Sequence, residues 1–320
     1  MRPPRAAAPL LLCAMLLPPS AGAAYPDRPL RLITGFLPGG VSDVLARVIG
    51  ERLGERLGQR IVIDGRPGAG GMVSMEIAAR STPDGYTLYL AQPVISIAAV
   101  VKKDLAFDPV KAFAPLSLIG TSPTLVVAHP ALGIGTPAEL VAAAKAKPGG
   151  LNYGSSGHGG PNHLAAELFQ HMAGVRLVHV PYKGAGAALP AVLGNEVPLA
   201  FTPLLAGIPH VKSGRLRAVG ITSAKRVRAM PDIPPLADAV PGYDHASWFG
   251  FVVPVATPKP IVARLHGELV KVMALPDVRD KLVGQGVEPD SSTPEVFGKV
   301  IADDVARWTR VIRETGIRID

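Results

Sequence analysis

Residues 30–57 read LRLITGFLPGGVSDVLARVIGERLGERL, and this stretch decides the fold class. Residues 30–34 are a short apolar strand. Leu37-Pro38-Gly39-Gly40 interrupts it with turn residues, and Ser42 or Asp43 is suited to cap the helix that follows. In that helix Val44, Leu45, Val48, Ile49, Leu53 and Leu57 recur at helical spacing and form one buried face. Working outward, residues 60–64 return as a strand. Arg66-Pro67-Gly68-Ala69-Gly70-Gly71 turns the chain into a helix ending near residue 80. Pro83-Asp84-Gly85 then leads to a strand over 86–91. Strand, glycine turn, helix and strand in this order predict an α/β fold with a mostly parallel sheet and helices on its faces.

A second set of the same kind starts near Thr124. Strands are expected over 125–128, 151–153, 176–180, 197–201 and 217–222, with helices from Pro137, Pro161 and Gly184 and a short one after residue 201. After a proline-rich stretch over 230–242, residues 248–253 read as a strand, and 258–274 and 294–315 as helices. This tail holds too little strand for a domain of its own. Two α/β lobes are therefore expected, 25–123 plus 246–320 and 124–245, joined by hinge crossings. A cleft between such lobes closes round a small ligand.

Arg2 and Arg5 precede an apolar run over 6–17, and Pro18-Pro19-Ser20 leads to Ala21-Gly22-Ala23-Ala24. That is the layout of a cleavable secretory signal peptide over 1–24, which implies export to the periplasm. The apolar run is short for a bilayer span. The single cysteine, Cys13, lies inside it, so a chain cut after Ala24 has no disulfide or thiolate chemistry. The net charge of +8 is spread along the sequence with no basic run interleaved with aromatics, so no nucleic-acid partner is expected.

Three glycine-rich loops carry the chemistry: 37–43, 68–74 and 154–160. Each follows an expected strand and opens an expected helix. The leading amides of a helix have no internal partner, its dipole adds positive potential, and glycine lets a ligand approach. Together these suit an anion. Turn shaping alone explains any single loop equally well. Ser42, Ser155 and Ser156 add hydroxyl donors. Nucleotide motifs fail: Val73 stands where the dinucleotide pattern needs glycine, and no P-loop occurs. A hydrolase elbow centred on Ser156 fails at His158. His163, Glu167 and His171 share one helical face, but no established zinc motif surrounds them, and no metal is expected. Tyr182-Lys183-Gly184 joins a strand to a helix, offering support for a ligand or a plain surface turn.

The chain resembles the Bug receptors, or TctC family, the periplasmic solute-binding components of tripartite tricarboxylate transporters. The resemblance rests on an ordered series: YPDRP at 25–29, PGGVSD at 38–43, RPGAGG at 66–71, PDGYTL at 83–88, LNY at 151–153, HLAAELF at 163–169, HVPYKG at 179–184, WFG at 248–250 and TP at 257–258. It implies a periplasmic-binding-protein (Venus-flytrap) fold, no catalysis and no cofactor. It also implies a carboxylate gripped largely through backbone amides. Carried across, the first contact set is Phe36, Leu37, Gly39, Gly40, Ser42 and Asp43, with Gly71 nearby. The second is Gly154, Ser155, Ser156, Gly157 and His158, supported by His163, Tyr182 and Lys183. Family ligands include di- and tricarboxylates, acidic amino acids and aromatic acids. The partners implied are a large and a small integral-membrane subunit, and a monomer is expected. Two departures stand out. Met72-Val73-Ser74 replaces the usual Asn-aliphatic-Gly, and Thr202-Pro203 stands where relatives often carry an acidic residue. An ammonium left unpaired in a closed cleft is costly, so an amine-free carboxylate is expected. A sensor with the same fold, and a periplasmic hydrolase or lyase, remain as alternatives.

Overall fold

A computed structural model describes residues 25–35, 40–101, 105–155, 157–182 and 185–315. The signal peptide expected over 1–24 lies outside them. In chain order the elements are β1 (Leu30–Thr34), α1 (Val41–Leu57), β2 (Ile61–Gly65), α2 (Met72–Ala79), β3 (Thr87–Ala91), α3 (Val94–Val101), β4 (Phe113–Ala128), α4 (Pro137–Ala146), β5 (Asn152–Ser155), α5 (Pro161–Ala173), β6 (Val178–Pro181), α6 (Ala185–Leu193), β7 (Leu199–Pro203), α7 (Leu204–Lys212), β8 (Arg217–Ile221), β9 (Ala246–Pro254), α8 (Lys259–Met273), α9 (Pro276–Gly284), β10 (Glu288–Pro289) and α10 (Pro294–Thr315).

Strand order is β2-β1-β3-β9-β4-β7-β5-β6, with β8 and β10 also on β4. β2, β1 and β3 are parallel, as are β6, β5 and β7. Side chains alternate between faces with period two. Leu30, Leu32, Leu88 and Leu90 pack with α1, α8 and α9, whereas Ile33, Tyr89 and Ala91 pack with α2, α3 and the start of α10. Farther along, Val126, Leu199 and Phe201 face α4 and α5, while Leu125, Val127 and Ala200 face α6 and α7. Each half therefore has helices on both faces, the arrangement that parallel strands require.

Three expectations are corrected. The strand expected at 125–128 is the last part of β4, which starts at Phe113 and runs through both halves of the sheet. Its prolines, Pro115 and Pro123, argue against a strand in sequence, but the pairing with β9 shifts register twice, next to Pro115 and between Leu118 and Gly120. Helices α3 and α9 add to the expected set. The tail also does more than pack on the first lobe. Phe297, Ile301, Trp308 and Val311 lie on one stripe of α10; the first two join the core with Ile33 and Trp248, and the last two join the core with Phe169 and Tyr243. Full burial of such side chains contributes about 1.5–3 kcal/mol each, so α10 ties both halves together. Trp248, which packs here, is 3% exposed and donates its Nε1 hydrogen to Asp304 at 3.0 Å.

His245 sits where the chain returns from the second half, 3% exposed and edge-on to Trp308. Burial and then the nearby Arg307 push its pKa down from 6.5 to about 4. The unfolded chain thus binds the proton more readily, so this contribution is full above the unfolded value and is lost as pH falls toward the folded one. The His245 contribution to unfolding free energy is expected to drop by ~2 kcal/mol between about pH 7 and pH 5. Urea melts at both pH values, compared between wild type and His245→Gln, isolate it. Equal pH slopes in the two proteins would refute the assignment.

Candidate functional site

The registers place the carboxyl ends of both parallel sets next to one another. Thr34 pairs with Gly65, and Ala91 with Gly250, so β1, β2 and β3 all end toward the segment of β4 and β9 where Pro123 meets Ala246. From the other side Thr124 pairs with Pro203, and Ser155 with Pro181, so β5, β6 and β7 end toward the same point. In open α/β sheets, ligands bind outside the carboxyl ends of strands. Here two such edges face one crossover.

On the first edge, Gly40 precedes α1 in extended conformation, and the amides of Asp43 and Val44 bond back to its carbonyl at 3.0 and 3.1 Å. That leaves the amides of Val41 and Ser42 ahead of the first helical turn. Ser42 is 5% exposed, and its hydroxyl accepts a hydrogen bond from Gln92 Nε2 at 2.9 Å. This contact ties the β1–α1 turn to the β3–α3 turn; Gln92 is a residue that sequence reading does not select. Asp43 makes two bonds to Arg47, at 3.1 and 3.0 Å, so its charge is offset beside the helix start. Gly71 caps α2 with φ 100°, a conformation that favours glycine, and its carbonyl accepts from Ser74 Oγ at 2.7 Å. Phe36, Leu37 and Gly39 lie outside the described residues.

On the second edge, Gly154 and Ser155 end β5. Ser155 is fully buried; its hydroxyl lies 2.7 Å from His179 Nε2 and 3.2 Å from both the amide and the carbonyl of Gly157. Gly154 backs onto the Tyr182 ring. Thr202 is 1% exposed, and its hydroxyl has no partner among the described residues. Ser156 and Lys183 lie outside those residues.

Three imidazoles meet beside Ser155. His163 stacks on His179 with ring centroids 4.1 Å apart, and exposed His158 sits edge-on to both. Behind them Tyr153 stacks on His179 and donates to Glu167 at 2.8 Å. Burial, then repulsion from His179 and His158, lowers the His163 pKa to about 3; burial, then His158, lowers that of His179 to about 4. Both rings are neutral at ordinary pH. Of the helical triplet, His163 and Glu167 lie 3.6 Å apart, but His171 does not join them. His171 points away to Glu314, at 3.0 Å, and the third ring comes from β6 instead. Tyr153 and His179 are register partners on neighbouring parallel strands, a relation that the linear sequence does not display.

Ser155 and His179 resemble the start of a hydrolytic triad. A working triad orients its histidine through the second ring nitrogen. His179 Nδ1 is buried with no partner among the described residues, and Ser155 is closed to solvent. Among the described residues, then, two members of such a triad are present and the third is not.

Residues 45–317 match the profile of the tripartite tricarboxylate transporter family receptor, TctC. The protein BugT of Bordetella pertussis is 32% identical over 94% of this chain and 93% of its own length. Among solved structures, an R. palustris protein with adipate is 34% identical, with a TM-score of 0.80, covering 92% of this chain and 99% of that one. The periplasmic binding protein BugD is 28% identical, with a TM-score of 0.77, over 92% of this chain and 99% of its own. MatC from Rhodopseudomonas palustris, with bound malate, is 27% identical with a TM-score of 0.75, over 90% of this chain and all of that one. The shared fold is the bilobed periplasmic-binding-protein type, and no helix among the described residues is long and apolar enough to cross a membrane. The chain belongs to the tripartite tricarboxylate transporter receptor family, whose members are periplasmic solute-binding receptors rather than enzymes.

Proposed function

We propose that this receptor holds a small amine-free mono-, di- or tricarboxylate between lobes 25–123 plus 246–320 and 124–245, and delivers it to a large and a small integral-membrane subunit after export through a cleaved leader. The observation that carries the reading is the convergence of two strand edges whose turns present helix-leading amides and a Thr202 hydroxyl with no partner among the described residues. An oxyanion satisfies such donors without a counter-cation. The contacts are assigned to Phe36, Leu37, Gly39, Gly40, Ser42, Asp43 and Gly71 on one lobe. On the other they are Gly154, Ser155, Ser156, Gly157, His158 and Thr202, with His163, Tyr182 and Lys183 in support. Adipate and malate, bound by the two R. palustris relatives, are the acids to try first.

The amine-free part of this proposal is supported by the acidic groups near these turns. Asp43 is paired with Arg47, and Glu167 accepts from Tyr153 and Gln170. Neither is set to receive an ammonium, and the position after Phe201 is Thr202. Calorimetry against a panel of acids tests this. Binding of adipate- or malate-like acids is expected, and tight binding of aspartate or glutamate with no response to amine-free acids would overturn it. Thr202→Val should weaken the best acid about tenfold while leaving the melting temperature unchanged or raised, because no described residue bonds that hydroxyl. An unchanged affinity would remove Thr202 from the site.

A further inference from the structure

We infer that His158, His163 and His179 form a binding site for one divalent transition-metal ion of the zinc, cobalt or nickel class. One ring nitrogen from each residue lies within 4.8 Å of the others. Protons can be placed from the hydrogen bonds. His163 Nδ1 accepts the Gly159 amide at 3.1 Å, so its proton is on Nε2, which faces the Glu167 carboxylate at 3.6 Å. Ser155 Oγ lies 3.2 Å from the Gly157 carbonyl; donating its proton there, it accepts from His179 Nε2. The His179 Nδ1 lone pair is then bare, and no described residue fills it. The Nδ1 atoms of both rings are thus the lone pairs left for a metal; the Ser155 hydroxyl takes the other N–H of His179, and the Glu167 carboxylate stands 3.6 Å from that of His163, just beyond hydrogen-bond distance. A carboxylate or hydroxyl behind the ring is the outer arrangement that orients metal-bound histidines. Glu167 is itself fixed by Tyr153 and by Gln170 Nε2, both at 2.8 Å.

Imidazole nitrogen suits these ions, with bonds of about 2.0–2.1 Å. To reach that length the stacked rings must splay, and the Gly159 amide must leave His163. This gives up one neutral hydrogen bond for three metal–nitrogen bonds. His158 is exposed and can swing in. Burial, and then repulsion from the neighbouring rings, opposes protons on His163 and His179. Neutral imidazole is the form that ligates metal. Three protein nitrogens leave a fourth position open for water or a carboxylate oxygen. That last step rests on the proposed function; the metal site does not.

The test uses tag-free, chelator-treated protein with no carboxylate present. Titration with Zn²⁺ should give one site with micromolar or tighter affinity. Co²⁺ should give the intense visible absorption of a four-coordinate centre and broaden the imidazole NMR signals that disappear in His158→Gln, His163→Gln and His179→Gln. His158→Gln, at an exposed position, and His179→Gln should each weaken binding at least tenfold. Glu167→Gln should weaken it about tenfold or more. Circular dichroism identifies any variant that fails to fold, and His158→Gln then decides the test. No one-to-one binding at 100 micromolar Zn²⁺ as the titrant, or wild-type affinity in His158→Gln, would overturn the site. An acid that binds equally with and without metal would remove only the fourth ligand, whereas a protein that binds metal but no acid would overturn the proposed function alone.

Discussion

Gly250→Ala is expected to lower the unfolding free energy by more than ~3 kcal/mol, the upper end of overpacking costs. Gly250 lies in β9 between Ala91 of β3 and Leu118 of β4, so the backbone is held on both sides. A Cβ there would stand 2.1 Å from Phe297 Cζ and 2.4 Å from Cε1. Phe297 is fully buried and packs edge-on against Trp248, which leaves its ring no easy retreat. The methyl must therefore lift the start of α10 from the sheet. Phe297→Leu should destabilise the wild type yet stabilise the Gly250→Ala protein, a coupling of at least ~2 kcal/mol for residues in contact. Urea unfolding of the four proteins measures it. A single-mutant loss below ~1 kcal/mol, or additive effects, would show that α10 yields easily.

The same helix shows what sequence reading can and cannot reach. Its apolar stripe, Phe297, Ile301, Trp308 and Val311, follows helical periodicity, so its existence and ends at residues 294 and 315 are legible. What the stripe touches is not legible, because the two halves of α10 meet different cores. α3 reads VISIAAVV, apolar except for Ser96, so no face stands out and periodicity gives no helix signal. The first part of β4 escapes a sequence reading because its prolines look like breakers, although register shifts accommodate them. The site divides in the same way. Glycine turns followed by helices are local, so the loops at Gly40, Gly71 and Gly154 are visible in the sequence. Gln92 and His179 reach the site only through tertiary pairing. Gln92 gets there through a side-chain bond to Ser42, fifty positions away in sequence, and His179 through the parallel register of β5 with β6. The helical spacing of His163 and His171 suggests a cluster, but the packing of β6 supplies a different third ring.

Gly35→Val is expected to weaken binding of the best carboxylate by about 100-fold, ~2.7 kcal/mol. Gly35 is the last described residue before the 36–39 segment and is buried. A Cβ at this position would lie 2.6 Å from Ser74 Oγ and 3.2 Å from Gly71 Cα. The glycine therefore lets the end of β1 press directly onto the start of α2. Ser74 cannot simply rotate away: it is fully buried, donates to Gly71 O at 2.7 Å and lies 3.3 Å from the Tyr89 hydroxyl. Valine would force the first turn and the α2 cap apart by a sizeable fraction of an ångström. Groups that grip a small ligand work only when held to about half an ångström, so the proposed contacts from both turns would be displaced beyond that tolerance. The effect should appear mainly as faster dissociation. Gly35→Ala should show a smaller loss, and Ser74→Gly added to it should restore most of the affinity by vacating the contested space. Stopped-flow and calorimetric titration of the four proteins measure the series. Full affinity in Gly35→Val, with a normal melting curve, would mean that the carboxylate is held without the β1–α1 and β2–α2 turns. The second lobe alone would then have to provide the grip.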